Sequence, residues 1–271
     1  MSNLKAVVFD WAGTTIDFGS RAPMGAFVEV FGEFGVELTV EEARRPMGLP
    51  KWDHIRALGD IPRVAAAWEQ AHGAPFGDAD ADRIHAVFEP LNARVVADYA
   101  ELIPGTLETV AELRRRGIKI GSTTGYTRTI MQALLPLAAE QRYEPDNLVC
   151  AGDLPVGRPT PLMMYKCFVD LGVWPAAAVV KVDDTAPGIQ EGTAAGCWTV
   201  GVALSGNAVG LARDELAALP ADEVERLRDR ASADLRAAGA HDIIDTIADL
   251  LPLIDRIDAR LAAGDLPPAP G

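Results

Sequence analysis

Three groups of polar residues follow directly on short stretches that read as strands, and their types suit attack on phosphorus. Asp10 follows Ala6, Val7, Val8 and Phe9; Thr123 and Thr124 follow a run over residues 118–122; Asp183 and Asp184 close a run over residues 178–182. Runs of this length read as strands buried on both faces, the signature of a parallel sheet. Parallel strands bring their carboxyl ends to one edge, where open α/β sheets take their ligands. There Asp10 reads as a nucleophile. A second carboxylate with water can hold Mg²⁺ against phosphoryl oxygens, and a threonine hydroxyl with the helix-start amides after Thr124 can bind the remaining oxygens. One such aspartate taken singly reads as a turn or N-cap residue. Three strand ends in one sheet point to a site.

The elements that must position these groups fall into two blocks. Residues 22–34 read as a helix, with Pro23 in its first turn and Phe27, Val30, Phe31 and Phe34 at helical spacing. Residues 41–45 form a short helical piece ended by Pro46, and the chain breaks at Gly48 and Pro50 before a helix restarts at Lys51. Helices are expected over 62–72 and 80–96, the second with Ile84, Val87, Phe88, Leu91 and Val95 on one stripe. Beyond residue 100, strand and helix alternate. Strands are expected at 118–122, 148–151, 178–182 and 198–202. Helices are expected at 104–116, from 127 to about 137, at 161–171 and at 188–195. Residues 212–238 read as one solvated helix, residues 242–261 as a short strand and a final helix, and the tail DLPPAPG as frayed. The expected fold class is α/β: a Rossmann-like parallel-sheet core (residues 1–20 and 100–271) with a helical cap domain (residues 21–99) inserted after the first strand, able to act as a lid.

Composition narrows the partners. Of 271 residues, 49% are hydrophobic and 24% charged, an ordinary globular balance. The net charge of −14 argues against nucleic acid or an anionic membrane as a main partner. It leaves room for a small anionic substrate, since a metal ion and a few local cations can reverse the potential of a pocket. Cys150, Cys167 and Cys197 are odd in number and lack CxxC spacing, so disulfides and a thiolate metal site are not expected. MSNLKAVVFD runs into the first strand without a signal-peptide pattern, and no apolar run reaches membrane-spanning length; a reducing cytoplasm is the expected location.

DxxGTT after a first strand, a helical insert, GSTTG after a second strand and VDDT after a later one resemble the haloacid dehalogenase superfamily over nearly the whole chain. In phosphatases and mutases of that superfamily the first motif is DxDGT, and its second Asp protonates a leaving oxygen. Here Ala12 stands at that position. FDWAGTTIDFGSRAP, MGLPKWDHIRAL, GSTTGYTR and the run from VDDT to GCWTVGV resemble, more narrowly, the phosphonoacetaldehyde hydrolase (phosphonatase) family. The resemblance implies that Asp10 attacks phosphorus. It implies that Asp10, Asp184 and the backbone carbonyl of Ala12 hold Mg²⁺, and that Lys51 forms a Schiff base with an aldehyde. It also implies a homodimer through the cap and a place in 2-aminoethylphosphonate degradation.

Chemistry accounts for Ala12 and Lys51 together. A carbon–phosphorus bond has no bridging oxygen to protonate, and a bare enolate is a poor leaving group. A protonated imine on Lys51 would accept the electrons as an enamine, and the acid at position 12 becomes unnecessary. Lys51 must be neutral to attack; an apolar pocket with Met47, Leu49 and Trp52 would lower its pKa. His54, three residues on, could carry the proton of imine formation or be a packing histidine. Gly48 permits close backbone approach or ends a helix, and Met47 suits pocket or core. Arg158, in GRPTP, could neutralise Asp10 and phosphate oxygens with its guanidinium. Ser20 and Tyr126 are further pocket candidates. Relatives lead one to expect an acidic residue four positions after Asp184, where Gly188 stands, while Asp183 precedes Asp184. The rival readings are a phosphomonoesterase or sugar phosphomutase, which Ala12 disfavours, and an inactive module that binds a phosphorylated ligand.

Overall fold

The computed structural model describes residues 2–268. Six strands form one parallel sheet in the order β3-β2-β1-β4-β5-β6. They are β1 (Ala6–Phe9), β2 (Lys119–Thr127), β3 (Val149–Ala151), β4 (Val179–Asp183), β5 (Trp198–Val202) and β6 (Asp242–Ile244). β1 and β4, at the centre, carry no exposed residue, as expected for strands covered on both faces. Pairing of Phe9 with Ser122 and with Val182 brings the ends of β1 and β4 beside the Ser122–Thr124 stretch of β2.

Five helices follow β1 and form the insert: α1 (Ala22–Glu33), α2 (Val40–Arg44), α3 (Lys51–Gly59), α4 (Pro62–His72) and α5 (Asp78–Val95). They share a hydrophobic cluster of their own, in which Phe27, Phe31, Ile55, Trp68, Ile84 and Phe88 are fully or almost fully buried. Phe27 stacks on Phe88 with centroids 4.2 Å apart, so the Phe stripe of α1 is interior to the insert. The two connections to the sheet run side by side: the Asp17 N–H donates to the Glu101 carbonyl and the Ile103 N–H to that of Thr15. Asp17 also caps α1, accepting the N–H groups of Arg21 and Ala22, both at 2.9 Å.

The sheet is flanked by α6 (Thr106–Arg115), α7 (Arg128–Glu140), α8 (Leu162–Leu171), α9 (Ala186–Ala194), α10 (Arg213–Ala217), α11 (Ala221–Ala237) and α12 (Leu250–Ala262). Three expectations are revised. β2 does not end at Ser122: the β-branched threonines keep the backbone extended, and β3 rejoins at Thr127 after a register shift. Residues 212–238 form two helices, because Pro220 caps α11 and cannot continue α10. A 3₁₀ turn, Ile247–Asp249, separates β6 from α12. The last three residues of the tail DLPPAPG lie outside the described residues. Among the described residues no helix is long and apolar enough to cross a membrane.

Candidate active site

The sheet supplies an ionic wall. Asp10 follows β1, Asp183 ends β4 and Asp184 comes next; one carboxylate oxygen of each lies within 4.8 Å of the others. Arg158, from the loop between β3 and α8, reaches Asp10 Oδ1 at 2.9 Å, Asp183 Oδ2 at 3.3 Å and, through Nε, Glu191 Oε2 at 3.2 Å. Its Nη2 also donates to the Thr123 carbonyl and hydroxyl. Lys181 Nζ lies 3.0 Å from Asp183 and donates to Thr123 Oγ1 at 2.8 Å. All these groups are buried.

Charge is unevenly balanced along this wall. Burial would raise Asp183, but Arg158 and Lys181 outweigh it and hold the carboxyl below its usual range. Asp10 is pushed above the usual range by burial and by Asp183, against Arg158. Asp184 is pushed well above it by burial, Asp10 and Asp183. A divalent cation would relieve this repulsion, and the carboxylate oxygens suit Mg²⁺. The Ala12 carbonyl accepts no hydrogen bond among the described residues, and Ala12 lines a pocket with Asp10.

The Gly188 anomaly has a geometric cause. A Cβ on Gly188 would lie 2.0 Å from Asp183 Oδ2. The Asp183 carboxylate occupies the space over the first turn of α9, so an acidic side chain cannot stand at 188 as well.

The insert supplies an apolar wall. Lys51 is the first residue of α3 and is 3% exposed. Its Nζ lies 3.8 Å from Met47 Sδ, 5.1 Å from the Tyr126 ring centroid and 5.6 Å from that of Phe27. It forms no salt bridge among the described residues. Burial lowers its pKa to about 8, with Arg158 adding to the effect and Asp10 and Asp184 opposing it. The positive end of α3 also disfavours an ammonium there. Trp52, expected beside Lys51, instead donates its indole N–H to Asp82 at 2.7 Å; Phe27 and Tyr126 take that role.

The two walls meet over a pocket lined by Asp10, Ala12, Ser20, Met47, Gly48, Lys51, Thr124, Gly125, Tyr126 and Arg158, together with Pro23 and Thr185. Gly48, at φ +93°, could bear no side chain: a Cβ would lie 2.3 Å from Thr185 Oγ1. Tyr126 is buried and its hydroxyl has no partner. Asp184 borders an adjoining cleft. His54 does not line the pocket. It lies in the core of the insert, stacked on Phe27 at 4.0 Å, with Nε2 2.8 Å from the Ala43 carbonyl and Nδ1 unpartnered. Burial and then Lys51 hold its pKa well below the usual value, so the ring is neutral.

A family model described as haloacid dehalogenase-like hydrolase matches residues 4–196. A phosphonoacetaldehyde hydrolase of Paraburkholderia phytofirmans is 52% identical over 98% of this chain and all of that protein. One from Klebsiella pneumoniae is 48% identical over the same shares. The chain belongs to the phosphonoacetaldehyde hydrolase family of haloacid dehalogenase-like hydrolases. The crystal structure of a phosphonoacetaldehyde hydrolase-like protein from Oleispira antarctica matches with a TM-score of 0.96 at 45% identity, covering 98% of this chain and 96% of that one.

In this phosphonoacetaldehyde hydrolase family member, sequence reasoning missed Lys181, Glu191 and Thr185. Lys181 lies inside the apolar run of β4, where a lysine is anomalous enough to be a signal. Glu191 sits on the inner face of α9, and no local pattern distinguishes it from a solvated helix residue.

Proposed function

We propose that the chain hydrolyses the carbon–phosphorus bond of phosphonoacetaldehyde to acetaldehyde and phosphate, with Mg²⁺, within 2-aminoethylphosphonate degradation. The observation that carries this reading is a buried amine without a carboxylate partner, Lys51, sharing a pocket with Asp10 and with Ala12, which has no proton to give.

The Lys51 amine attacks the aldehyde carbon, and loss of water leaves an imine. One amine proton and one from solvent leave with the aldehyde oxygen as water, so the imine keeps an N–H and its positive charge; His54, stacked on Phe27 behind the pocket, would join this proton traffic only through water. The protonated imine draws electrons from the carbon–phosphorus bond. An Asp10 oxygen forms a bond to phosphorus as that bond breaks, and the electron pair moves into a neutral enamine. Protonation of the enamine and hydrolysis of the imine release acetaldehyde and restore Lys51. Water then cleaves the aspartyl phosphate and frees phosphate. Arg158, Thr124 and the Gly125 amide orient the phosphonate oxygens, while Ser20, Met47, Gly48 and Tyr126 shape the aldehyde side. Asp10, Asp184 and the Ala12 carbonyl would hold Mg²⁺, which supplies positive charge to the phosphoryl oxygens. The helical insert serves as the cap that brings Lys51 to Asp10.

Borohydride added with phosphonoacetaldehyde is expected to tether the two-carbon fragment to Lys51. Turnover that survives Lys51→Arg overturns the mechanism. Acetaldehyde release assayed with and without Mg²⁺, beside a panel of phosphate esters, decides between this reaction and a phosphomonoesterase. Free, buried Cys150, Cys167 and Cys197 suit a reducing cytoplasm. Pairing of two copies through the insert is part of the same reading. Val40 on α2 is 51% exposed, and sedimentation of Val40→Glu against Trp174→Glu on the core tests which face pairs.

A further inference from the structure

Arg44, the last residue of α2, reaches from the insert into the core. Its Nη1 donates to the carbonyls of Gly19 at 3.0 Å and Asn207 at 3.1 Å, and to Asn207 Oδ1 at 3.2 Å. Its Nη2 donates to the Gly210 carbonyl at 3.0 Å. Asn207 answers by donating Nδ2 to the Arg44 carbonyl at 3.4 Å. The backbone N–H of the same Asn207 donates to Asp184 Oδ2 at 2.7 Å. Gly210 is shaped to this guanidinium: its φ is +69°, and a Cβ there would lie 2.3 Å from Arg44 Cζ.

Two features make this contact more than packing. Arg44 forms no salt bridge among the described residues; its acceptors are neutral oxygens, which water can replace when the walls part. A buried ion pair would separate far less readily. The pocket between the walls also has a volume of only about 20 Å³, room for about one water, so an organic phosphonate requires the walls to part. Beside Arg44 lies a cleft of about 290 Å³ that shares Met47 and Thr185 with that pocket. Release of Arg44 would join the two spaces.

We propose that Arg44 is a positioning residue: it clasps the insert to the Asn207–Gly210 loop and, through Asn207, makes the seating of Asp184 depend on the insert being down. The clasp couples the wall that carries Lys51 to the wall that carries the carboxylates, although Arg44 touches neither reacting group. Only the turnover readout below rests on the phosphonatase reading.

The test is hydrogen exchange on the full-length, metal-free protein, wild type against Arg44→Ala and Arg44→Lys. Lysine presents no fork and cannot span Gly19, Asn207 and Gly210 together. Both variants are expected to exchange faster in residues 17–20, 40–48 and 205–211 alone, with the sheet unchanged. In turnover, kcat/KM is expected to fall about tenfold or more, the loss of several hydrogen bonds to a charged group. Millimolar guanidinium ion is expected to restore both protection and turnover to Arg44→Ala but not to wild type. Unchanged exchange in those segments overturns the proposal. So does faster exchange throughout the molecule, which marks a merely structural arginine, and so does failure of guanidinium to rescue. If wild type fails to turn over phosphonoacetaldehyde, the reaction assignment falls while the exchange result still decides the clasp.

Discussion

Lys51 and Lys181 are both fully or almost fully buried, Lys51 lining the pocket and Lys181 set behind it against Asp183, and their surroundings are opposite. Lys181 rises from β4 into carboxylates: Asp183 at 3.0 Å, Glu191 at 3.5 Å, and the Thr123 hydroxyl. Lys51 begins α3 among Met47, Phe27 and Tyr126, with no anion in contact. One lysine is a fixed cation that balances the sheet-end acids. The other has its pKa lowered to about 8, which brings the free amine that attack on an aldehyde would need within reach of mildly alkaline pH. The residue type is the same, and the neighbours decide whether it is structure or chemistry.

The sharpest way to break that comparison is to remove each charge while keeping the stem. Lys181→Met leaves buried Asp183 and Glu191 short of a cation and is expected to destabilise the fold by about 3–5 kcal/mol in chemical denaturation. Lys51→Met is expected to do the reverse: turnover falls to background while stability at neutral pH rises by about 3 kcal/mol. The sign follows from the direction of the shift. The folded pKa of about 8 lies below the ordinary lysine value of 10.5, so the unfolded chain binds the proton more tightly. The penalty is complete below pH 8 and fades as pH rises toward 10.5, so the gain from Lys51→Met must vanish at high pH. A stability gain that is independent of pH would remove the argument.

The same shift predicts that kcat/KM rises about tenfold per pH unit below about pH 8 and levels above it, because only the free amine forms the imine. A pH–rate profile with no inflection there would assign the limiting ionisation elsewhere. On the ionic wall, Gly188→Ala drives a Cβ into the Asp183 carboxylate and is expected to cost about 1–3 kcal/mol. Asp183→Gly is itself destabilising, since Arg158 and Lys181 lose a partner, but in that background Gly188→Ala should cost nothing further if the two positions exclude each other; strictly additive effects would argue against it. The smallest effect is expected from Tyr126→Phe. Its hydroxyl has no protein partner, so thermal stability should hold or rise by about 1 kcal/mol while KM increases.

Much of the site was legible because it is written in strand ends. Asp10 and Asp184 follow strands β1 and β4, and parallel pairing brings these ends together with Thr124 of β2 beside them. Lys51 was legible through the break at Gly48 and Pro50, which starts a helix at that residue. His54 illustrates what helical spacing leaves open: it shares α3 with Lys51, yet its ring is stacked on Phe27 in the core of the insert. The continuation of β2 through Thr127 was hidden because Thr-Thr-Gly reads equally as loop or as extended chain, and only pairing with β3 decides.

By itself the sequence determined the α/β class, the helical insert after β1, the aspartate at the end of β1 and the alanine two residues beyond it, because periodicity and residue type are local properties. Tertiary structure alone decided which charges are balanced. Lys181 and Arg158, from β4 and a loop, are balanced by Asp183 and by Glu191 of α9 only because the fold brings the four groups to between 3.0 and 3.5 Å of one another's charges. It also decided that Asp183 fills the space above Gly188 and that Lys51 meets aromatic rings where it would otherwise meet acids. Electrostatic energy in a buried site depends on distance and desolvation, and neither is encoded in the spacing of residues along a chain.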